Sequence, residues 1–286
     1  MNIVVGATGQ IGSYVIDELT KSGSPTRAVV RNPEKLADIR VEFRKADLFD
    51  GEQLANALEG GTAVLVLTPE SQTSDDIIGD TERIVANYRK AIEQAGITRI
   101  VGLSTIGAHI DGKTGNLFMS RILEHGLGDL DATVVFIRPS YYFSNWLVYL
   151  DTITQQGILP TFFPEGLSIE MNSPLDVAKC IARAMTEERP PKSKTVIELT
   201  GPQPYTSRDV ADVFAKLLNK PVVPQSIPRE KWHETLIAAG FSENTAINMA
   251  DMTQAVIDKL TVPEQPGNTL PLPTSLERYL SGQLRK

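Results

Sequence analysis

Cysteine is almost missing from this chain of 286 residues, and Cys180 stands alone. An intramolecular disulfide and a cysteine cluster for zinc or iron–sulfur are therefore excluded. The stretch Asp176-Val177-Ala178-Lys179-Cys180-Ile181-Ala182 reads as helix, so the thiol is expected to be an inert, buried one. Histidine is scarce too: His109, His125 and His233 lie far apart without metal-ligand spacing, and no metal site is expected. Positive charge is not in excess, with 28 Lys and Arg against 35 Asp and Glu and a formal net charge of −7. General electrostatic attraction to nucleic acid or anionic lipid is excluded on that balance. No segment approaches the roughly 18 uninterrupted apolar residues of a membrane span, and no basic stretch with a cleavable apolar run opens the chain. The expectation is a soluble, cytoplasmic protein with neither membrane nor nucleic acid as partner. Repeats and low-complexity tracts are lacking as well.

What is present is an ordinary globular share of apolar residues, 41%, enough for a sizeable core. The first half alternates short β-branched runs with helical patterns. Ile3-Val4-Val5, Arg27-Ala28-Val29-Val30, Val41-Glu42-Phe43-Arg44, Ala63 to Leu67, Arg99 to Leu103 and Thr133 to Ile137 are the expected strands. Between the fourth and fifth, Ile77, Ile78, Ile84, Val85, Tyr88, Ala91 and Ile92 recur at helical spacing from about Asp75 to Gln94, and Gly96 supplies the stop. Such alternation implies right-handed βαβ crossovers: an α/β, doubly wound parallel sheet of the Rossmann-like kind. After Pro139 the rhythm changes, with aromatics in Tyr141-Tyr142-Phe143-Ser144-Asn145-Trp146 and prolines thereafter. We expect residues 1–139 to bind a nucleotide and 140–286 to form a smaller α+β module for substrate or partner, interleaved with the first or apart from it. Residues 262–274, with four prolines, are expected to be extended, followed by a short helix near 276–280.

Val4-Val5-Gly6-Ala7-Thr8-Gly9-Gln10-Ile11-Gly12 follows the first strand and opens a helix. Glycines at this spacing let the backbone turn tightly and approach a pyrophosphate, whose charge meets free amides and the positive end of the helix dipole. Gly6, Thr8, Gly9, Gln10, Ile11 and Gly12 are the expected contacts. An acidic residue at the end of the second strand would hold a ribose 2′-hydroxyl, whereas an arginine accommodates a 2′-phosphate. The chain reads Val30-Arg31-Asn32-Pro33, so Arg31, with Asn32 and Lys35 near it, points to NADP(H). Topology adds Asp47 and Leu48 after the third strand, Thr68 and Pro69 after the fourth and Ser104 after the fifth. Thr68 and Ser104 serve equally well as turn-capping hydroxyls.

The glycine turn, Val30-Arg31-Asn32, Val101-Gly102-Leu103-Ser104-Thr105 and Ile137-Arg138-Pro139-Ser140-Tyr141-Tyr142-Phe143-Ser144-Asn145, in that order, resemble the NmrA-like family of atypical short-chain dehydrogenases/reductases. Pro174-Leu175-Asp176-Val177-Ala178 and Thr200-Gly201-Pro202 extend the resemblance over nearly the whole length. It implies either a reductase, of quinones or plant phenylpropanoids, or a redox-responsive regulator that binds the nucleotide without turnover. Short-chain reductases of the Tyr-x-x-x-Lys kind lower a tyrosine pKa with the ammonium. Here the residues at that offset from the seven tyrosines are Glu18, Ile92, Asn145, Trp146, Ile153, Asp209 and Gln283, none of them lysine. Many members carry a polar His or Tyr and a Lys in the helix before the sixth strand; this chain offers Asn116, Ser120 and Arg121 there.

His109 and Lys113, in the loop after the fifth strand, are substitutes for the missing pair, or else a solvated loop pair. Tyr141, Tyr142, Phe143 and Trp146 either line an apolar substrate pocket or pack in the core, and Tyr142 or Phe143 is expected to face the pocket. Two functions follow. One is an NADPH-dependent reductase of a small apolar acceptor such as a quinone or enone, for which the missing Tyr-Lys pair matters least. The other is an NADP(H)-sensing regulatory protein whose second half binds a protein partner according to cofactor redox state.

Overall fold

In the computed structural model, residues 1–35, 41–189 and 192–285 are described. The first part of the chain runs β1 (Asn2–Val5), α1 (Gln10–Lys21), β2 (Thr26–Val30), β3 (Glu42–Lys45), α2 (Gly51–Leu58), β4 (Ala63–Leu67), α3 (Ile77–Ala95), β5 (Arg99–Leu103), α4 (Leu117–Leu127) and β6 (Thr133–Pro139). It continues through β7 (Tyr141–Tyr142), α5 (Leu150–Gln156), β8 (Ile158–Thr161), β9 (Ile169–Asn172), α6 (Pro174–Thr186), β10 (Lys194–Thr200), β11 (Pro204–Tyr205) and α7 (Ser207–Leu218). It ends with β12 (Val223–Ser226), α8 (Trp232–Ala238), α9 (Glu243–Ile257), β13 (Leu270–Pro271) and α10 (Leu276–Leu284).

Eight strands form one sheet in the order β13-β10-β6-β5-β4-β1-β2-β3, every neighbouring pair parallel. The central strands β1, β2, β4, β5 and β6 are largely apolar on both faces because both are covered, whereas the edge strand β3 is exposed. On one face α2, α3 and α4 bury Leu54, Tyr88, Ile92 and Leu123 against Ile3, Val64 and Ile100. On the other, α1 and α6 bury Val15, Leu19, Val177 and Ile181 against Val4, Leu65 and Val135. Local chemistry sets the helix ends: the Asp76 carboxylate accepts from the Gly79 amide at 2.9 Å to start α3, and Thr206 with Asp209 forms a capping box for α7.

The chain after residue 139 does not keep apart from the first half. Its α6, β10 and β13 complete the sheet, while α5, α7, α10 and the short strands β7, β8, β9, β11 and β12 enclose a third core around Phe143, Trp146, Phe163, Phe214 and Tyr279. The proline-rich tail, expected to be merely extended, places Leu270 and Pro271 in register with Leu199 and Thr200 as the edge strand, where a missing proline amide is tolerated. The last helix reaches Leu284, further than expected, because Leu284 packs against the third core beyond Tyr279 and Leu280. The Cys180 thiol is half-buried rather than buried, and desolvation raises its pKa, which disfavours the reactive thiolate.

A buried ionic knot fastens the tail to the sheet. Arg138, on β6, donates Nε and Nη2 to the two oxygens of Glu124 at 2.7 Å each, and Nη1 to Glu264 at 2.6 Å and Glu198 at 3.4 Å. Glu198 in turn accepts from the Glu264 and Gln265 amides at 3.0 and 3.1 Å. The hydrogen bond from Arg138 holds the Glu264 carboxyl below its ordinary range. A depressed carboxyl pKa stabilises the fold above the unfolded value of about 4.3 and loses that contribution as pH falls through the folded one. The melting temperature of Glu264→Gln is therefore expected to fall less than that of the wild type on acidification from about pH 6 to about pH 3. Parallel curves for the two proteins would refute the tie.

Among the described residues, no helix is long and apolar enough to cross a membrane, and no three His, Cys, Asp or Glu side chains converge on a metal position.

Candidate functional site

Since every sheet strand is parallel, the segments after β1, β2, β4, β5 and β6 all emerge at one edge, the carboxyl edge where open α/β sheets bind ligands. Gly6 turns the chain out of β1 with φ of +67°, and Gly9 is the N-cap of α1 without a side-chain oxygen to offer. The first-turn amides of α1, those of Gln10, Ile11 and Gly12, have no partner within the helix and face no cap, leaving them to an anion. Gly12 brings the helix in close, since a Cβ there would lie 2.3 Å from the Gly6 carbonyl oxygen. Thr8 and Gln10 are exposed beside this cradle, whereas the Ile11 side chain is buried in the core under α1. Gln10 is held from the second half of the chain: its Oε1 accepts from the Ser144 hydroxyl at 2.9 Å.

Arg31 and Asn32 are exposed just past Val30, and no hydrogen bond or ion pair engages the Arg31 guanidinium among the described residues. Lys35 ends the 3₁₀ turn Pro33–Lys35 that follows. Asp47 and Leu48 are already engaged: the carboxylate accepts from the Phe49 amide of its own loop at 3.0 Å, and the Leu48 carbonyl accepts from Asn87 of α3 at 2.9 Å. The end of β4 is pinned by the Tyr88 hydroxyl, which donates to the Leu67 carbonyl at 3.0 Å, so Thr68 and Pro69 leave the sheet from a fixed point. Ser104 turns inward, donating its hydroxyl to Glu124 at 2.6 Å as part of the Arg138 knot.

The residues singled out for chemistry disperse. His109 gives its carbonyl to Arg121 at 3.0 Å; its charge bears on Glu264, toward the tail, and its buried Nδ1 has no partner among the described residues. Lys113 is exposed, and Arg121 lies 3.8 Å from Asp111. Asn116 is 4% exposed at the start of α4, with both atoms of its carboxamide unpartnered among the described residues. Above it, α9 lies against Gly115 and clasps the loop after β4: Asn244 accepts from the Ile77 amide at 3.0 Å, and Thr245 donates to the Ser71 carbonyl at 3.1 Å.

Of the aromatic stretch, Phe143 and Trp146 are core, Phe143 packing edge-on to Tyr205 at 5.6 Å. Tyr141 and Tyr142 are partly exposed. Of the two residues expected to face a pocket, Tyr142 is the one solvent reaches; its backbone is set by pairing with Asn172, which also bonds Ser140 at 2.9 Å. Burial raises the Tyr142 phenol pKa, and so does the nearby charge of Glu70. Glu70, three residues past β4, was not singled out by the sequence reading. Its position directly after Thr68-Pro69 at a strand end was the available signal.

The sequence profile of the NmrA-like family matches residues 2–280. The chain belongs to the NmrA-like family. Among its NmrA-like relatives, quinone oxidoreductase 2 of Escherichia coli is 28% identical over 257 residues, covering 88% of this chain and 86% of that protein. NAD(P)H azoreductase of Xenophilus azovorans is 26% identical over 260 residues, with coverage of 88% and 86%. The structure of the Citrobacter sp. triphenylmethane reductase complexed with NADP(H) superposes with a TM-score of 0.74 at 26% identity, covering 98% of this NmrA-like chain and 95% of that one.

Proposed function

We propose that this protein is an NADPH-dependent reductase of a small, flat, apolar acceptor of the quinone or enone type. The observation that carries the reading is the uncapped cradle at the head of α1, closed by Gly12, with the Arg31 guanidinium, unpaired among the described residues, past the end of the adjacent strand β2. An orphaned helix terminus and a planar bidentate cation suit a pyrophosphate and a 2′-phosphate. Gly6, Thr8, Gly9, Gln10 and Gly12 would hold the pyrophosphate, Arg31 and Asn32 the 2′-phosphate, and Asp47 with Leu48 the adenine. Thr68, Pro69 and Tyr142 lie toward β4, β5 and β6, where the nicotinamide end would fall. The bound cofactor supplies a hydride; the chain orients it and presents an aromatic wall to the acceptor. The names of the relatives, a quinone oxidoreductase, an azoreductase and a triphenylmethane reductase, support hydride delivery to flat conjugated acceptors.

Calorimetric titration with NADPH, NADP⁺, NADH and NAD⁺ tests the cofactor. Arg31→Ala is expected to weaken NADPH about 30-fold, for the loss of a charge-assisted contact worth about 2 kcal/mol, and to leave NADH unchanged. Binding of none of the four would overturn the reading. Stopped-flow mixing with quinones and enones tests the acceptor. NADPH that binds and stays unoxidised throughout would favour the redox-sensing regulator instead.

A further inference from the structure

We propose that Glu70 is the proton donor of this reductase, with Tyr142 directing the acceptor oxygen toward it. The inference rests on the reductase reading and assigns the proton that reading leaves without a source.

Glu70 leaves the carboxyl edge after β4 and Tyr142 after β6, and those two strands flank β5. Two strand spacings make roughly 10 Å, so the pair straddles the tip of β5, on the side of β1 away from Arg31. A carboxyl and a phenol thus converge where the reacting end of the cofactor would lie, 72 positions apart in sequence. Solvent reaches Glu70, yet protein crowds it closely enough that burial alone raises its carboxyl pKa. Among the described residues no hydrogen bond or ion pair engages it, and no cation offsets the cost of ionising it. The charge that bears on Tyr142 is that of Glu70. Burial makes the carboxyl harder to ionise, and burial followed by the Glu70 charge does the same to the phenol, so the phenol stays a hydrogen-bond donor. A carboxyl that holds its proton above the ordinary glutamate range, near a neutral phenol, is the arrangement that general-acid catalysis needs.

The step balances. A quinone that accepts a hydride gains two electrons and one proton and becomes a hydroquinone monoanion. The O–H bond of Glu70 then breaks as a new O–H bond forms on that oxyanion, and the carboxylate recovers a proton from the water that reaches it. The net uptake is one hydride and one proton per quinone. A cationic triarylmethane dye differs, because hydride alone neutralises it and no proton is consumed.

The experiment compares wild type, Glu70→Gln and Tyr142→Phe with NADPH and two acceptors, an uncharged quinone and a cationic triarylmethane dye. Glu70→Gln is expected to lower the ratio of quinone to dye turnover by about 10²–10⁴-fold, the usual worth of a general acid. It should also abolish the fall in quinone turnover as pH rises through the carboxyl pKa. Tyr142→Phe should lower the same ratio less and keep the pH profile. Independently of turnover, infrared titration of the cofactor-free wild type should show a protonated carboxyl band persisting above the ordinary glutamate range and missing from Glu70→Gln. An unchanged ratio, an absent band, or a wild type that reduces the dye but not the quinone overturns the assignment alone. A wild type that reduces neither acceptor overturns the reductase reading and the assignment with it.

Discussion

Arg138→Ala is expected to destabilise the fold by about 3–5 kcal/mol, the range for removing one partner from a buried ion pair. The guanidinium is 3% exposed, and its truncation would strand Glu124 and Glu198, each 5% exposed. The two carboxylates would not suffer equally. Glu198 keeps the Glu264 and Gln265 amides, whereas Glu124 keeps, among the described residues, only the Ser104 hydroxyl, so the penalty concentrates at Glu124. The double variant Arg138→Ala/Glu124→Gln should therefore recover part of the loss, because a neutral amide is less costly to bury than an unpaired charge. Urea unfolding followed by circular dichroism reads both numbers. A loss below about 1 kcal/mol, the scale of an exposed pair, would mean that the knot does not hold the tail to the sheet.

Gly12→Ala is expected to weaken every nicotinamide nucleotide, in contrast to Arg31→Ala, which discriminates by the 2′-phosphate. The added methyl would sit 2.3 Å from the Gly6 carbonyl oxygen and 2.8 Å from its carbon, so α1 must withdraw from the turn. Overpacking of this kind costs roughly 1–3 kcal/mol, and charged wholly to the bound state it weakens binding about 5- to 150-fold. The same shift disturbs the α1–α6 contact, so the melting temperature should fall as well. A folded Gly12→Ala protein that binds NADPH and NADH as the wild type does would refute the cradle as the pyrophosphate site.

Much of the fold was legible in order along the chain. The run from Ile77 to Ile92 and the Gly96 stop specified α3 to within a few residues of each end, because apolar period and terminal chemistry lie within the helix itself. The turn from Gly6 to Gly12 likewise reads locally, since a tight βα connection needs its glycines at fixed offsets. Roles were less legible than positions. Ser104 has the place of a ligand contact, yet its hydroxyl faces Glu124, twenty residues on, which no local pattern announces. His109 and Lys113 looked suited to proton transfer by residue type. The fold instead sends His109 toward the tail and leaves Lys113 in solvent.

The sequence by itself determined the parallel α/β class, the succession of elements and the tight glycine turn after β1, because each depends on residues that are neighbours in the chain. Only the tertiary structure decided that β10 and β13 extend the same sheet, that Ser144 holds Gln10, that α9 clasps the loop after β4, and that Glu70 and Tyr142 follow the two strands on either side of β5. Those pairings depend on strand order and on which loops one sheet edge gathers. Propensity and periodicity act over a few residues, and the order of strands in a sheet is set by the packing of the whole chain.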